Sequence, residues 1–127
     1  SIKFAFINFN IQSMATSVEF MEYVFQQING VGDITYKKMF GEYGVWYKGK
    51  IIGLVCDNQF LIKKTKAGKD LLPNSEELPP YKGSKPCILI ENLDDKALIK
   101  ELIIKSYQEL PEPKPKKVKS EKLKTKN

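Results

Sequence analysis

The first regular pattern in the chain is a run of apolar residues at helical spacing that begins near residue 17. Thr16-Ser17-Val18-Glu19 has the spacing of a capping box, in which the Thr hydroxyl and the Glu carboxylate bond to free backbone N–H groups. Gly30 is suited to a left-handed stop. We therefore expect a helix over residues 17–29. Its apolar stripe consists of Val18, Met21, Phe25 and Ile28.

From residue 33 to residue 64 the apolar period changes to two, which is typical of strands. Lys48-Gly49 and Asp57-Asn58 suit two-residue hairpin turns, because Gly, Asn and Asp tolerate positive φ. Both alternating sets of residues 51–56 are apolar, so we expect cover on both sheet faces, from helices or from a partner subunit. The predicted strands of this antiparallel meander are 34–36, 43–47, 51–56 and 59–63.

The remaining pattern predicts a short helix, a further strand and a closing helix. Residues 65–72 fit the short helix, residues 73–85 a loop rich in Pro, and residues 87–90 the strand. Residues 92–95 cap the closing helix, whose positive dipole end favours the acidic pair, and Pro111 ends it. The stripe of this helix is Ile99, Leu102, Ile103, Ser106, Tyr107 and Leu110. The predicted fold is α+β, an antiparallel β-meander packed with N-terminal and C-terminal helices in the order α-β-β-β-β-α-β-α.

The two ends of the chain differ from the middle in composition. Residues 1–13 are apolar and precede Met14, so we interpret them as a leader outside the domain, with an extra edge strand as the alternative. The tail, residues 111–127, has seven Lys against two Glu and carries +5 of the net charge of +6. A segment of this composition is expected to be disordered. The predicted domain is therefore residues 14–110.

The composition narrows the chemistry of the chain. The chain has no His and no Arg, and its 21 basic residues are all Lys. Without His, the usual acid–base group at neutral pH and the commonest metal ligand are missing. Without Arg, the chain also lacks the planar guanidinium group, which donates paired hydrogen bonds to carboxylates, phosphates and guanine edges. These absences argue against an enzyme of the common hydrolase types.

The two cysteines, Cys56 and Cys87, each lie inside an apolar run. Thiols in such surroundings are usually buried and inert. A disulfide would require the two strands to be adjacent, and two thiols without His make a poor zinc site. We expect free thiols in a reducing compartment, and no apolar run approaches the roughly 20 residues that a membrane span needs.

No motif assembles a catalytic or cofactor site. Gly44 to Lys50 matches half of a phosphate-binding loop, but Ile51 stands where Ser or Thr would hold magnesium, and the Lys leads into a strand. The acidic pairs Glu76-Glu77 and Asp94-Asp95 lie in a loop and at a helix start, not in apolar surroundings. We therefore assign no catalytic, cofactor-binding or metal residue and expect no small-molecule substrate.

The string KKMFGEYGVWYKGK at 37–50 is the most distinctive part of the chain. It resembles the signature of the TfoX/Sxy family N-terminal domain, with a basic pair, Met-Phe-Gly, Tyr-Gly, an aromatic strand and Gly-Lys at a hairpin. GLVCD at 53–57 and FLIK at 60–63 are similar to the next two strands of the family. LPPY at 78–81 and LDD at 93–95 are similar to its Pro-Tyr loop and to the start of its closing helix.

The resemblance covers about residues 17–110 and implies a compact α+β fold in a cytoplasmic regulatory setting, with no known cofactor or catalytic residues. Two departures weaken the link to competence regulation. The basic pair is Lys37-Lys38 where the family often has Arg, and a Lys-rich tail stands where the longer competence regulators continue into a second, helical domain.

The signature residues have a structural interpretation that does not depend on the family. Glycines on both sides of Tyr43 permit a bulge or a close backbone approach. Met39, Phe40 and Trp46 are large apolar residues suited to the interface between sheet and helices. We therefore interpret the signature as a bend that determines the fold. Its residues are Met39, Phe40, Gly41, Tyr43, Gly44 and Gly49.

Two functional hypotheses follow. The first is a non-enzymatic regulatory or adaptor domain that acts through protein–protein contacts, including self-association. The alternative is a nucleic-acid-associated accessory protein, because Lys residues alternate with aromatic residues and the tail adds positive charge. The candidate nucleic-acid contacts are Lys37, Lys38, Lys48, Lys114, Lys116, Lys117 and Lys119.

Overall fold

A computed structural model describes residues 16–113 of the chain. The nine helices and strands within that range follow the predicted order, with one short strand added in the predicted loop 73–85. They are α1 (Val18–Ile28), β1 (Ile34–Met39), β2 (Glu42–Tyr47), β3 (Lys50–Cys56), β4 (Gln59–Lys63), α2 (Lys66–Leu71), β5 (Glu77–Leu78), β6 (Cys87–Leu89) and α3 (Lys96–Glu109). The α+β class is confirmed. The leader 1–13 and most of the tail lie outside the described residues.

The six strands form one antiparallel sheet in the order β1-β2-β3-β4-β6-β5. The first four strands are consecutive neighbours, so the meander is confirmed. The register between β2 and β3 shifts once, because Trp46 faces Ile51 while Val45 faces Gly53. Ile52 is the extra residue of this bulge, and its side chain is fully buried.

Three hairpin turns join these four strands, and each has two consecutive residues with positive φ. Lys48-Gly49 and Asp57-Asn58 are the two predicted turns. Phe40-Gly41 is the third, with φ angles of 52° and 83°. Two residues in this region of φ make a turn whose twist matches that of the flanking strands.

All three helices border one face of the sheet, where the main core lies. Alternation along β2 turns Tyr43, Val45 and Tyr47 toward this face. The predicted stripe of α3 is confirmed, since its members are buried or packed against this core. The buried residues that α1, α3 and the C-cap of α3 contribute to this core are Met21, Val24, Ile28, Ile99, Leu102, Ile103 and Leu110.

The opposite face carries a second, smaller apolar cluster. Leu54, Leu61 and Leu89 stand opposite one another on β3, β4 and β6 and therefore share this face. Cys56 and Cys87 belong to the same cluster, which Leu54 and Leu78 border. The sheet is thus apolar on both faces, as the two apolar sets of residues 51–56 predicted.

Three details of the first helix differ from the prediction. Val18, the first residue of the predicted apolar stripe, is 51% exposed, and Val24 is buried in its place. The N-cap is Ser17, whose hydroxyl accepts a hydrogen bond from the backbone N–H of Phe20, and not Thr16. The helix continues into a short 3-10 turn, Asn29–Val31, and the positive φ falls at Gly32 instead of Gly30. Gly30 lies within that turn, so its proposed role as a left-handed stop is wrong.

Candidate functional site

The turn between β1 and β2 presents an aromatic side chain directly to solvent. Phe40 is fully exposed, with 101% of the accessible surface of a free residue. The prediction that Met39, Phe40 and Trp46 fill the interface between sheet and helices is wrong. Met39 and Trp46 are only half-buried, outside the core that the helices contact. We refer to residues 37–43 as the Phe40 hairpin.

Phe40 is unfavourable in two independent ways. Its φ of 52° lies in the left-handed region, which costs a residue other than Gly, Asn or Asp about 1–2 kcal/mol. Its ring also loses the free energy that burial of apolar surface would give. Asn, Asp or Gly would serve this turn better on both counts. Local rules broken without a compensating gain in stability are typical of functional positions.

The base of the Phe40 hairpin is held firmly. The backbone N–H of Thr16 donates to the carbonyl oxygen of Gly41 at 3.0 Å. Oε1 of Glu42 accepts from the hydroxyl of Thr16 and from the backbone N–H of Asp57, each at 3.1 Å. These bonds connect the turn to the start of α1 and to the neighbouring β3–β4 turn.

The β3–β4 turn contributes two more bonds to the same network. The backbone N–H of Asn58 donates to the hydroxyl oxygen of Thr16 at 3.2 Å, and Oδ1 of Asn58 accepts from the N–H of Ser17 at 3.0 Å. Thr16 therefore joins strands and is not a helix cap. A rigid base fixes the backbone that carries the exposed ring, which lowers the entropy that a binding partner must remove.

Gly44 has a separate structural role in the signature. A Cβ atom built on it would lie 2.7 Å from the Trp46 ring and 3.1 Å from Cε of Met39. Only a glycine lets Trp46 and Met39 lie this close to the strand. Tyr43, on the other face, is buried and meets Tyr36 edge-on at 5.9 Å.

The structure separates the lysines that the sequence proposed as nucleic-acid contacts. Lys37 and Lys38 are exposed beside Phe40 on β1. Lys48 lies in the turn at the other end of β2, where its ammonium group is 5.3 Å from the centre of the Tyr47 ring. Tyr81 is exposed near the opposite edge of the sheet, in the loop before β6. The four tail lysines, Lys114, Lys116, Lys117 and Lys119, lie outside the described residues.

A groove near α2 gathers four other lysines that the sequence analysis did not single out. Its volume is about 500 Å³, and it is lined by Lys64, Lys66, Lys69 and Lys85 together with Thr65, Pro86 and Glu109. We call it the lysine groove. The Glu109 carboxylate accepts from the backbone N–H groups of Lys66 and Ala67 at 2.8 Å each.

Glu77 lies between two lysines of this groove. Its carboxylate meets Nζ of Lys69 at 2.8 Å and Nζ of Lys64 at 3.0 Å. Hydrogen bonds from Lys69 and then from Lys64 hold the pKa of Glu77 below its ordinary value. Acidic side chains thus offset part of the positive charge here.

A second cavity, of about 190 Å³, lies where the end of β6 meets the start of α3. We call it the apolar pocket. No sequence pattern pointed to it, because its walls come from separate parts of the chain. They are Leu72, Ser75, Leu89, Ile90, Glu91, Asn92, Leu98, Ile99 and Leu102.

Both cysteines are buried and free, as predicted. The strand β4 lies between β3 and β6, so Cys56 and Cys87 are not on adjacent strands. Burial, with the Glu42 carboxylate nearby, raises the pKa of the Cys56 thiol to about 12. Burial also raises the pKa of Cys87. Neither thiol is a nucleophile at neutral pH.

Residues 16–113 hold no group of three His, Cys, Asp or Glu side chains placed to bind a metal ion. Within the same range, no helix is both long and apolar enough to cross a membrane.

A meander with helices on one face, and a hairpin that exposes an aromatic residue, defines the chain as a small α+β domain. The TfoX N-terminal domain family matches residues 26–112, so the chain belongs to that family. It is also similar to a curated protein of Spirochaeta aurantia, the uncharacterized 12.7 kDa protein in the trpE 5' region. The two are 32% identical over 108 residues, which cover 84% of this chain and 94% of the relative.

Proposed function

We propose that this protein is a non-enzymatic regulatory or adaptor domain that acts in the cytoplasm by binding a protein partner through the Phe40 hairpin. The observation that carries the proposal is the fully exposed Phe40 ring on a rigid base, at a φ that disfavours Phe. Rigid exposed aromatic residues are frequent anchors of protein interfaces, because they bury a large area at a small cost in entropy.

Two further observations support a role without catalysis. The chain contains neither His nor Arg, and both thiols have raised pKa values. A role in competence or transcriptional regulation fits the family to which the chain belongs, and we include it in the proposal.

The test compares Phe40→Asn with Tyr81→Asn. Asn suits the φ of position 40, so the first variant removes the ring and keeps the turn. The second removes another exposed aromatic residue, 66% accessible, from a different surface. Each protein is cross-linked to its neighbours in cells of its own host. We expect the proteins recovered with the wild type to be lost with Phe40→Asn and kept with Tyr81→Asn. Equal recovery with both variants would exclude Phe40 as the anchor.

The lysine groove supports a second candidate function, association with nucleic acid. Four lysines around one open groove, together with the Lys-rich tail, provide positive charge for phosphate contacts. Against it, the groove also contains Glu109, and Glu77 pairs with two of its lysines.

The decisive measurement is the affinity for single-stranded and duplex DNA as a function of salt. Each phosphate contact that is lost should reduce the log–log salt slope by about 0.9 on duplex DNA. We would compare Lys64→Gln/Lys85→Gln, removal of residues 114–127, and Lys96→Gln/Lys100→Gln as a control with the same change in charge. If the salt slope changes equally in both Gln variants, the lysine groove is excluded as the site of nucleic-acid binding.

A further inference from the structure

We propose that the partner of the Phe40 hairpin is a second copy of this chain, whose apolar pocket receives the Phe40 ring. The arrangement is reciprocal, so each copy gives one ring and receives one. This inference rests on the proposed function and adds the identity of the partner.

The ring and the pocket lie at the same end of the sheet. Tyr43 on β2 faces Val55 on β3, which faces Phe60 on β4, and the N–H of Ile90 donates to the carbonyl oxygen of Phe60. The β1–β2 turn therefore extends from the same end as the residue that follows β6, which is Ile90 of the pocket wall.

They also lie on opposite sides of the middle of the sheet. The Phe40 hairpin joins the first two strands in the order of the sheet, whereas the pocket adjoins the fifth, β6. A rotation by half a turn about an axis normal to the sheet places the first strands of one copy against the fifth strand of the other. Both contacts then form together, as closed pairing of identical chains requires.

The size of the pocket suits a phenyl ring. Its volume is about 190 Å³, and an apolar cavity of about 150 Å³ is known to hold benzene. Most of its walls are aliphatic side chains. The aliphatic lining residues include Leu72, Ile90, Leu98 and Leu102.

The charges around the two surfaces are opposite. Lys37 and Lys38 are exposed on β1, three and two residues before Phe40. Glu91 lines the pocket, and the exposed Asp94 and Asp95 follow it along the chain. Each of the two reciprocal contacts therefore brings a basic hairpin to an acidic rim, which favours pairing between two copies and weakens with salt.

The experiment measures self-association of the full chain by analytical ultracentrifugation up to about 1 mM protein. We expect a dimer whose dissociation constant rises with salt and rises at least about tenfold in Phe40→Asn and in Leu98→Trp, which fills the pocket. Tyr81→Asn, the control, should dimerise like the wild type. Circular dichroism and urea unfolding of each variant confirm that it is folded.

A photoreactive benzoylphenylalanine at position 40 then locates the surface that the ring contacts. We expect cross-links between chains to residues 72–75 and 89–102. A wild type that stays monomeric, or cross-links to other segments, would overturn this inference. If the wild type is monomeric but Phe40→Asn still loses its host partners, the inference is overturned and the proposed function is kept. If Phe40→Asn and Tyr81→Asn capture host proteins equally, both are overturned.

Discussion

The ammonium group of Lys50 donates a hydrogen bond to the carbonyl oxygen of Tyr107 at 2.9 Å and lies 4.2 Å from the centre of the Tyr107 ring. The side chain of Lys50 is only 7% exposed. Its charge therefore meets the negative end of the α3 dipole, where the free carbonyl groups of the helix need partners. Lys50, which the sequence presented as part of an incomplete phosphate loop, instead connects the start of β3 to the end of α3.

Replacing Lys50 by Met should destabilise the domain by about 1.5–3 kcal/mol, because a hydrogen bond from a charged group to a partly buried carbonyl is lost. Glu112 also pairs with Lys50, at 3.6 Å, but it is 81% exposed, so Glu112→Gln should cost less than about 0.5 kcal/mol. Lys48→Met, at an exposed turn, serves as the control. Urea unfolding measures all three, and equal losses for Lys50→Met and Lys48→Met would contradict this account.

Phe40 should make the isolated domain less stable than it could be. In Phe40→Asn the turn gains a residue that tolerates positive φ, so we expect the free energy of unfolding to rise by about 1 kcal/mol. Tyr81→Asn removes an exposed ring at a position without positive φ and should change stability by less than about 0.5 kcal/mol. The measurement must be made at protein concentrations at which both variants are monomeric. A loss of stability in Phe40→Asn would show that the ring supports the fold.

Phe40 also shows which turns of the fold could be predicted from the sequence and which could not. The turns at Lys48-Gly49 and Asp57-Asn58 were predictable, because Gly, Asn and Asp carry a local preference for positive φ. Phe40-Gly41 is the same kind of turn as Lys48-Gly49, with glycine second, but its first residue is large and apolar and was therefore expected at the interface between sheet and helices. Its position is decided by contacts of Thr16 and Glu42 with distant parts of the chain, which no local pattern records.

The helices and the meander were predictable for a similar reason, since their periods are local. The apolar pocket was not, because Leu72, Ile90 and Leu98 come together only after α2, β6 and α3 have packed. Membership in the family was recognisable from the signature, whereas the exposure of its Phe required the fold.

Gly53 is the position where a side chain fits least. A Cβ atom built on it would clash with the backbone carbonyl oxygen of Leu61, which cannot move without disturbing the pairing of β3 and β4. We expect Gly53→Ala to destabilise the domain by about 1–3 kcal/mol. Gly30→Ala is the matched control, since a Cβ there has no neighbour within 4 Å, and its effect should stay within about 0.5 kcal/mol. Thermal unfolding distinguishes the two, and a neutral Gly53→Ala would show that the strands can separate locally.

The two thiols should be inert in the folded protein. Both pKa values are raised by burial, that of Cys56 to about 12, so little thiolate exists near neutral pH. Iodoacetamide should modify neither cysteine in the native state and both in concentrated urea, as read by mass spectrometry. A chain with Lys82→Cys, at an exposed loop position, provides the reactive control. Rapid labelling of Cys56 in the native state would mean that this end of β3 opens readily.

Glu77 should make stability depend on pH in the acidic range. Its pKa in the folded protein is lowered from 4.5 by Lys69 and Lys64, so its contribution is present above about pH 4.5 and is lost as the pH falls through the lowered value. At neutral pH we expect Glu77→Gln to unfold at a lower urea concentration than the wild type, and the difference should shrink as the pH falls below about 4.5. The control repeats Glu77→Gln in a chain with Lys64→Met and Lys69→Met, where the difference should no longer depend on pH. If the stability difference caused by Glu77→Gln still depends on pH in that chain, it does not result from the charges of the two lysines.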